Sequence, residues 1–292
     1  MNSGEDIHKN LEFILKGLDQ FQGQFLFLPE NSLYFNCGSG PLLASSAFHD
    51  DHPVIKDLRE VCAKRSITLH LGGVPWKVNS RVQNQSVVID SKGLTHSVYG
   101  KTHLFDLELG SIKMKESESF QAGDHLATLE FSGWKMGVSI CYDLRFSEIF
   151  TYYRNFCGAH ILLVPSAFTA VTGESHWKTL LRARAIENQC FVIAPAQCGE
   201  HQSQDGSKIR KTWGESLIIS PWGQILGEGP SFKDKNSSFP ESLPIQCQLD
   251  FDAIGSVRKA MPMDQHRRLS MDLELKCSSG NKALHVSHFL LP

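Results

Sequence analysis

The chain has no window of ~18 consecutive apolar residues, the length a membrane-spanning helix needs, so no helical span is expected. Its first residues, MNSGEDIHKN, lack both a basic and an apolar region, which argues against a secretory leader. Long Lys/Arg runs are missing as well, and a net charge of -2 argues against nucleic acid or an anionic membrane as the main partner. Nor do the eight cysteines form the close pairs of a zinc site or the density of a disulfide scaffold. They are expected to be reduced and mostly structural in a cytoplasmic protein, where the Asn-x-Ser sequons at Asn84 and Asn236 carry no weight. Internal repeats, low-complexity tracts and an interdomain linker are also absent. What is there is 292 residues, 41% of them hydrophobic, enough for a large core without staples. A small molecule is then the expected ligand class, and nothing calls for a metal or cofactor.

Apolar periodicity predicts a helix from Asp6 to Phe21, with Ile7, Leu11, Ile14, Leu18 and Phe21 on one stripe. The strand QFLFL follows and runs into Pro29-Glu30. The order repeats as a helix from Val54 to Lys64 leads into ITLHLGG. SVVID and LTHSVY flank Ser91-Lys92-Gly93 as a hairpin, and LATLEF joins KMGVSI through Ser132-Gly133. Then come a helix from Arg145 to Arg154, the strand HILLVP, a helix from Glu174 to Asn188 and the strand CFVIAPA. The polar segments His201 to Lys211 and Gly227 to Glu241 read as loops. Helices alternating with apolar strands, mixed with hairpins, indicate an α/β protein with mixed sheets.

Met136 to Phe150, MGVSICYDLRFSEIF, reads as a strand that delivers Cys141 into a turn opening a helix. At such a junction the helix dipole and unpaired backbone N–H groups favour thiolate over thiol and can cradle an oxyanion. A small buried structural thiol is the alternative there. Glu30 and Lys101 also follow apolar strands, although each alone reads equally well as a solvated surface charge. If the three converge, acyl transfer assigns their roles. Glu30 takes the thiol proton and later activates water, while Lys101 and the Tyr142 N–H stabilise the tetrahedral intermediate. A histidine base is the rival, with His103 and His176 in segments placed near the site, and structural hydrogen bonding is the alternative for both.

LPE at Leu28 to Glu30, YGKTHLFD at Tyr99 to Asp106 and CYDLRF at Cys141 to Phe146, in that order, resemble the nitrilase (carbon–nitrogen hydrolase) superfamily. The likeness continues through PSAFTAVTGESHW, LLRARAIENQC, SPWGQIL and VRKAMPMDQHRR, and so covers nearly the whole chain. It implies a carbon–nitrogen hydrolase domain over residues 1–268, with 269–292 as an unassigned extension that is either a dimer-covering arm or a disordered terminus. It also implies a four-layer αββα sandwich, a homodimer or larger assembly, and a Glu–Lys–Cys triad that transfers to Glu30, Lys101 and Cys141. A second glutamate near the nucleophile is typical of the family; Glu116 matches it best, ahead of Glu118.

CYDLRF together with THLFD resembles the Nit branch, which cleaves amides of small dicarboxylates. Two activities follow from that likeness. One is hydrolysis of deaminated glutathione to 2-oxoglutarate and cysteinylglycine, which PSAF, LLRARAIE and the following QC favour; the other is ω-amidase action on 2-oxoglutaramate. Both acyl halves carry a carboxylate, for which Arg145 is a bidentate partner unless an ion pair with Asp143 or Glu148 holds it. Ser166, Ala167 and Phe168 are expected to line the pocket, with Phe168 equally suited to the core. Thr172 and Gly173 shape the adjoining turn, and His176 and Trp177 pack at the start of the next helix. A catalytically idle binding module and acyl transfer to an amine are the competing readings, and the intact triad favours the hydrolase.

The chain departs from the family pattern in three places. An apolar first strand ending in Gln-Met is missing ahead of NSGEDIHKNL. Either the start codon is assigned too late, the preferred explanation, or the sheet tolerates an open edge. Gly100 stands where an arginine is common and Glu215 where a histidine is common, which bears on the pocket or a subunit contact and not on the triad.

Overall fold

The computed structural model describes residues 1–37, 47–109, 112–234, 244–268, 277–279 and 285–290. Helix α1 (Ile7–Gln20) starts where the Asp6 carboxylate accepts from the His8 and Lys9 N–H groups, and it buries Leu11, Ile14 and Leu18. Helix α2 (Pro53–Arg65) opens on a proline, whose missing N–H costs nothing there, and stops at Ser66 in the left-handed conformation. Both lie on one face of a four-stranded sheet of β1 (Phe25–Phe27), β2 (Thr68–Val78), β3 (Arg81–Ile89) and β4 (Thr95–Gly100), adjacent in that order. Strand β1 runs parallel to β2 and the other pairs are antiparallel. The two-residue alternation of a strand sorts its side chains: Leu69, Leu71, Val87 and Ile89 meet the helices, while Val88, Val98, Phe25 and Phe27 face the other way.

What they face is a second sheet. It contains β7 (His125–Phe131), β8 (Trp134–Val138), β9 (Ile161–Leu163), β10 (Phe191–Ala194), β13 (Leu217–Ile219) and β14 (Ile225–Glu228), and its outer face carries α3 (Ser147–Asn155) and α4 (Ala170–Asn188). The ring of Phe25 meets that of Phe131 at 4.9 Å across the gap. The layers are therefore helix, sheet, sheet, helix, the expected αββα sandwich. Strands β8, β9 and β10 are mutually parallel and all deliver chain to the same end of the sheet. Two hairpins stand outside the main sheets: β5 (Asp106–Leu109) with β6 (Ile112–Lys115), and β11 (Cys198–Gln202) with β12 (Ile209–Trp213).

Helix α5 (Phe251–Ala260) follows. Near the C-terminus β15 (Cys277–Ser279) pairs with β16 (His285–Leu290), which pairs in turn with β7, so part of the extension adds strands to the second sheet. Among the described residues β1 has a neighbour on one side only, which leaves that edge of the first sheet open. No helix of the described residues is long and apolar enough to cross a membrane.

Three sequence expectations need correction. The segment His201 to Lys211 is not a loop: its ends belong to β11 and β12, whose polar composition hides a strand pair. Likewise the segment from Gly227 begins inside β14, while residues 235–243 lie outside the described residues. Helix α4 begins at Ala170, four residues earlier than expected, because Thr169 supplies an N-cap hydroxyl; His176 and Trp177 thus lie in its second turn.

Candidate active site

Four chain crossings meet at one end of the sandwich. Glu30 follows β1, where its backbone bridges Gly73 of β2 and its carbonyl accepts from Gln197 Nε2 at 3.1 Å. A side chain at Gly73 has no room, since a Cβ there would stand 2.7 Å from Asn84 Oδ1 and 3.1 Å from Glu30 Cγ. Lys101 follows β4 and is fixed by its own backbone: its N–H donates to the Asn84 carbonyl and its carbonyl accepts from the Gly123 N–H, both at 2.9 Å. At Gly100 a Cβ would stand 2.8 Å from Gln83 Oε1 and 3.1 Å from Gln85 Nε2, and at Gly123 one would stand 2.2 Å from the Gly100 carbonyl oxygen. Glu116 sits in a 3-10 turn after β6.

The side chains converge as the spacing alone cannot predict. Lys101 Nζ lies 2.9 Å from Glu30 Oε1 and 2.8 Å from Glu116 Oε2. Asn84 Nδ2 donates to the same Glu30 oxygen at 2.9 Å and to Glu116 Oε1 at 3.2 Å. The Ala167 N–H donates to Glu30 Oε2 at 2.8 Å, and the Phe105 N–H to Glu116 Oε2 at 2.6 Å. Both carboxylates are thus held from several sides. Burial works against the charge on Lys101, but Glu116, Glu30 and Cys141 together hold its pKa well above the ordinary value, so it remains an ammonium.

Cys141 is 8% exposed and opens the 3-10 turn Cys141–Arg145. Its φ of 50° places a non-glycine residue in the left-handed region, a conformation that costs roughly 1–2 kcal/mol. Asp143 fastens the turn: its Oδ2 accepts from the Ile140 N–H at 2.9 Å and the Tyr99 hydroxyl at 2.7 Å, and its Oδ1 accepts from the His103 N–H at 3.1 Å. Burial, then the charge and hydrogen bond of Glu30, push the Cys141 thiol well above its usual pKa, and Lys101 and the Ala167 N–H only partly oppose this. Burial and Glu30 thus act against the thiolate that the turn by itself is expected to favour. The Tyr142 N–H has no acceptor among the described residues.

The rival bases are otherwise engaged. His103 Nδ1 lies 2.8 Å from Asp143 Oδ1 with its ring stacked on Phe146, and the exposed His176 contacts Arg145 Nη1 at 3.2 Å. Arg145 is in neither of the ion pairs weighed for it, with Asp143 or with Glu148; its guanidinium lies 5.8 Å from the Tyr142 ring and 5.2 Å from the Phe168 ring. Phe168 packs against Trp177 and belongs to the core of the second sheet. The Ser166 hydroxyl donates to the Val164 carbonyl at 3.1 Å, and Thr172 Oγ1 meets Thr169 Oγ1 at 2.7 Å, so both side chains are engaged within their own segment. Glu215 receives Trp213 Nε1 at 2.9 Å and pairs with Lys178 at 2.6 Å. Glu118, the weaker candidate, has no contact with Lys101, unlike Glu116.

Asn84 escaped the sequence reading. It stands in a run of four polar residues, Gln83, Asn84, Gln85 and Ser86, ahead of the apolar end of β3, and only their burial, which the fold supplies, sets the run apart from a solvent-facing segment.

The carbon-nitrogen hydrolase profile matches residues 4–259. A Yersinia enterocolitica protein named deaminated glutathione amidase is 33% identical over 288 residues, 96% of this chain and 95% of its own length. One of the same name from Dictyostelium discoideum is 36% identical over 264 residues, 88% of this chain and 80% of its own. The crystal structure of the Caenorhabditis elegans NitFhit protein superposes with a TM-score of 0.78 at 33% identity, covering 94% of this chain and 68% of that one. Saccharomyces cerevisiae Nit3, described as a member of branch 10 of the nitrilase superfamily, superposes with a TM-score of 0.71 at 27% identity, over 92% of this chain and 93% of that one. Matched along the segments that carry Glu30, Lys101 and Cys141, the chain belongs to the carbon–nitrogen hydrolase (nitrilase) family and is a hydrolase of carbon–nitrogen bonds other than peptide bonds.

Proposed function

We propose that the protein hydrolyses deaminated glutathione to 2-oxoglutarate and cysteinylglycine through a thioester on Cys141. The observation that carries this reading is the meeting of Glu30 and Lys101 around one buried thiol, beside a Tyr142 N–H that has no acceptor among the described residues. Cys141 sulfur attacks the amide carbonyl as Glu30 takes its proton, and the oxyanion forms against Lys101 Nζ and the Tyr142 N–H. The carbon–nitrogen bond breaks and Glu30 returns the proton to the departing amine. Water, deprotonated by Glu30, then attacks the thioester, and the thiol is regenerated by that proton. Glu116 keeps Lys101 aimed at the oxyanion. Arg145 receives the acyl-side carboxylate, and Ser166, Ala167, Phe168 and Thr172 form the adjoining wall.

The raised thiol pKa supports this assignment, because a nucleophile that rests protonated needs a base in contact, and Glu30 is that base. The names of the relatives support the substrate. We place the hydrolase domain at residues 1–268, with 269–292 as an extension, in a cytoplasmic homodimer or larger assembly without nucleic-acid partners; the seven unpaired thiols of the described residues fit a reducing compartment. The test is 2-oxoglutarate release from deaminated glutathione and from 2-oxoglutaramate, side by side, with Cys141→Ala as control. Faster Cys141-dependent release from the first is expected. Preference for the second makes the protein an ω-amidase, and no release from either overturns the reading.

A further inference from the structure

Hairpin β11–β12 carries a second arginine on a strand tied to the segment that follows Ser166. Arg210 lies on β12, two residues before Thr212, which bridges Thr169, and the Trp213 N–H donates to the Phe168 carbonyl at 2.9 Å. The strand that carries Arg210 is thereby bound to the wall beside Cys141. Arg210 Nη1 donates to the Asn36 carbonyl at 2.9 Å, and its guanidinium stands 5.0 Å from the Phe35 ring. Phe35 in turn packs with Cys37 and Ala167, and Ala167 is the residue whose N–H holds Glu30.

The half-buried guanidinium pairs with no carboxylate among the described residues. Arginine does not lose its charge, and a partly desolvated cation without a counterion is costly unless a ligand supplies one. Its neighbour does not compete for an anion. His201, opposite Arg210 in the hairpin, stacks on Phe35 at 3.9 Å, and burial lowers its pKa to about 4, so the ring is neutral at physiological pH. Burial lowers the pKa of Arg210, and Cys37 first, then Glu30, Glu116 and Cys141, lie within electrostatic reach and act against that.

The charge inventory gives this arginine a task. Glu30 and Glu116 set two carboxyl groups against one Lys101, so a substrate bearing two carboxylates is repelled unless two cations receive it. Arg145 shares the 3-10 turn of Cys141 and lies against Tyr142 and Phe168; Arg210 reaches in from a separate element, over Phe35. We infer that Arg210 is the binding subsite for a carboxylate on the amine half of the substrate, the half that leaves first. The inference rests on the amidase reading above and deepens it: the favoured substrates are amides whose amine portion ends in a carboxylate, and primary amides forgo this contact.

The experiment compares deaminated glutathione with its analogue amidated at the glycine carboxyl. Binding is measured by calorimetry on full-length Cys141→Ala, with and without Arg210→Gln and Arg210→Lys, and turnover on the active enzyme. With Arg210 present the free acid should bind about tenfold or more tighter than the amide, as expected for a charge-assisted hydrogen-bonded pair. Arg210→Gln should bind both at the weaker level, and Arg210→Lys should recover part of the difference. Arg210→Gln should lower turnover of deaminated glutathione more than turnover of 2-oxoglutaramate. Equal binding of acid and amide by the Arg210 protein, or equal losses for both substrates in Arg210→Gln, overturns the subsite and leaves the amidase reading standing. Discrimination in binding without turnover overturns the amidase reading and leaves the subsite.

Discussion

Glu30 and Glu116 arrive from elements far apart in sequence, yet they share two donors: Lys101 Nζ and Asn84 Nδ2 each reach Oε1 of both. The lysine supplies charge and the amide supplies direction. Asn84→Ala should therefore lower kcat by about 10- to 100-fold with little change in KM, because it loosens the geometry of the reacting groups without touching bound substrate. Steady-state kinetics on the purified variant checks this, with Asn84→Gln as the partial rescue. A rise in KM alone would assign Asn84 to substrate binding.

Cys141→Ser should retain the fold and nearly abolish turnover, since a hydroxyl is a far poorer nucleophile with a glutamate as its base. Glu30→Gln should abolish turnover too, but its effect on the thiol has the opposite sign. Glu30 is one of the groups that push the Cys141 pKa up, so neutralising it should leave more thiolate and speed alkylation by iodoacetamide near pH 8. Measured labelling rates that fall in step with turnover would contradict this.

Gly73→Ala should damage activity more than stability. The added methyl meets Asn84 Oδ1 and Glu30 Cγ, and these must shift by tenths of an ångström in a site where such shifts matter. The expected result is a kcat loss of about tenfold or more, with thermal unfolding displaced by a few degrees; unchanged kcat would show that the carboxylate has slack.

Acid stability has a definite sign. His70 is buried beside Phe27 between the sheets, with Nε2 2.7 Å from Ser86 Oγ, and burial lowers its pKa to about 3. Its unfolded form binds a proton below about pH 6.5, while the folded form does not until far lower pH. Stability is therefore present above about 6.5 and is lost as pH falls toward 3. His70→Gln should flatten the fall in melting temperature between pH 6.5 and 4 relative to the parent protein. Parallel curves for the two would remove His70 from the account.

The residues that carry charge at strand ends were readable because strand ends are where apolar runs stop, and Glu30, Lys101 and Cys141 each mark such a stop. The residues alone indicated only an α/β protein with mixed sheets, and the four-layer sandwich followed from the family resemblance, because which face of each strand meets the other sheet is set by the packing of Leu69 and Leu71 against the helices and of Phe25 and Phe27 against the second sheet. Asn84 and Arg210 were not readable, because each lies inside a strand whose polarity resembles that of a solvent-facing segment. Only the fold tells that the polar end of β3 points into a closed site and that the segment around Arg210 is paired. The direction of the Cys141 shift was missed because dipole and N–H effects are local in sequence, whereas burial and the Glu30 carboxylate, which push the thiol up, are set by the fold.

Asp143 gathers donors from the chain that bears Lys101 (Tyr99, Thr102 and His103) and from the turn that bears Cys141. It is itself fully buried. No fluctuation can move the lysine away from the thiol without breaking several of these bonds at once. The centre of chemistry is consequently the last region to open: hydrogen exchange at Ile140, Thr102 and His103 should proceed only through global unfolding, while the rim hairpins exchange by local fraying.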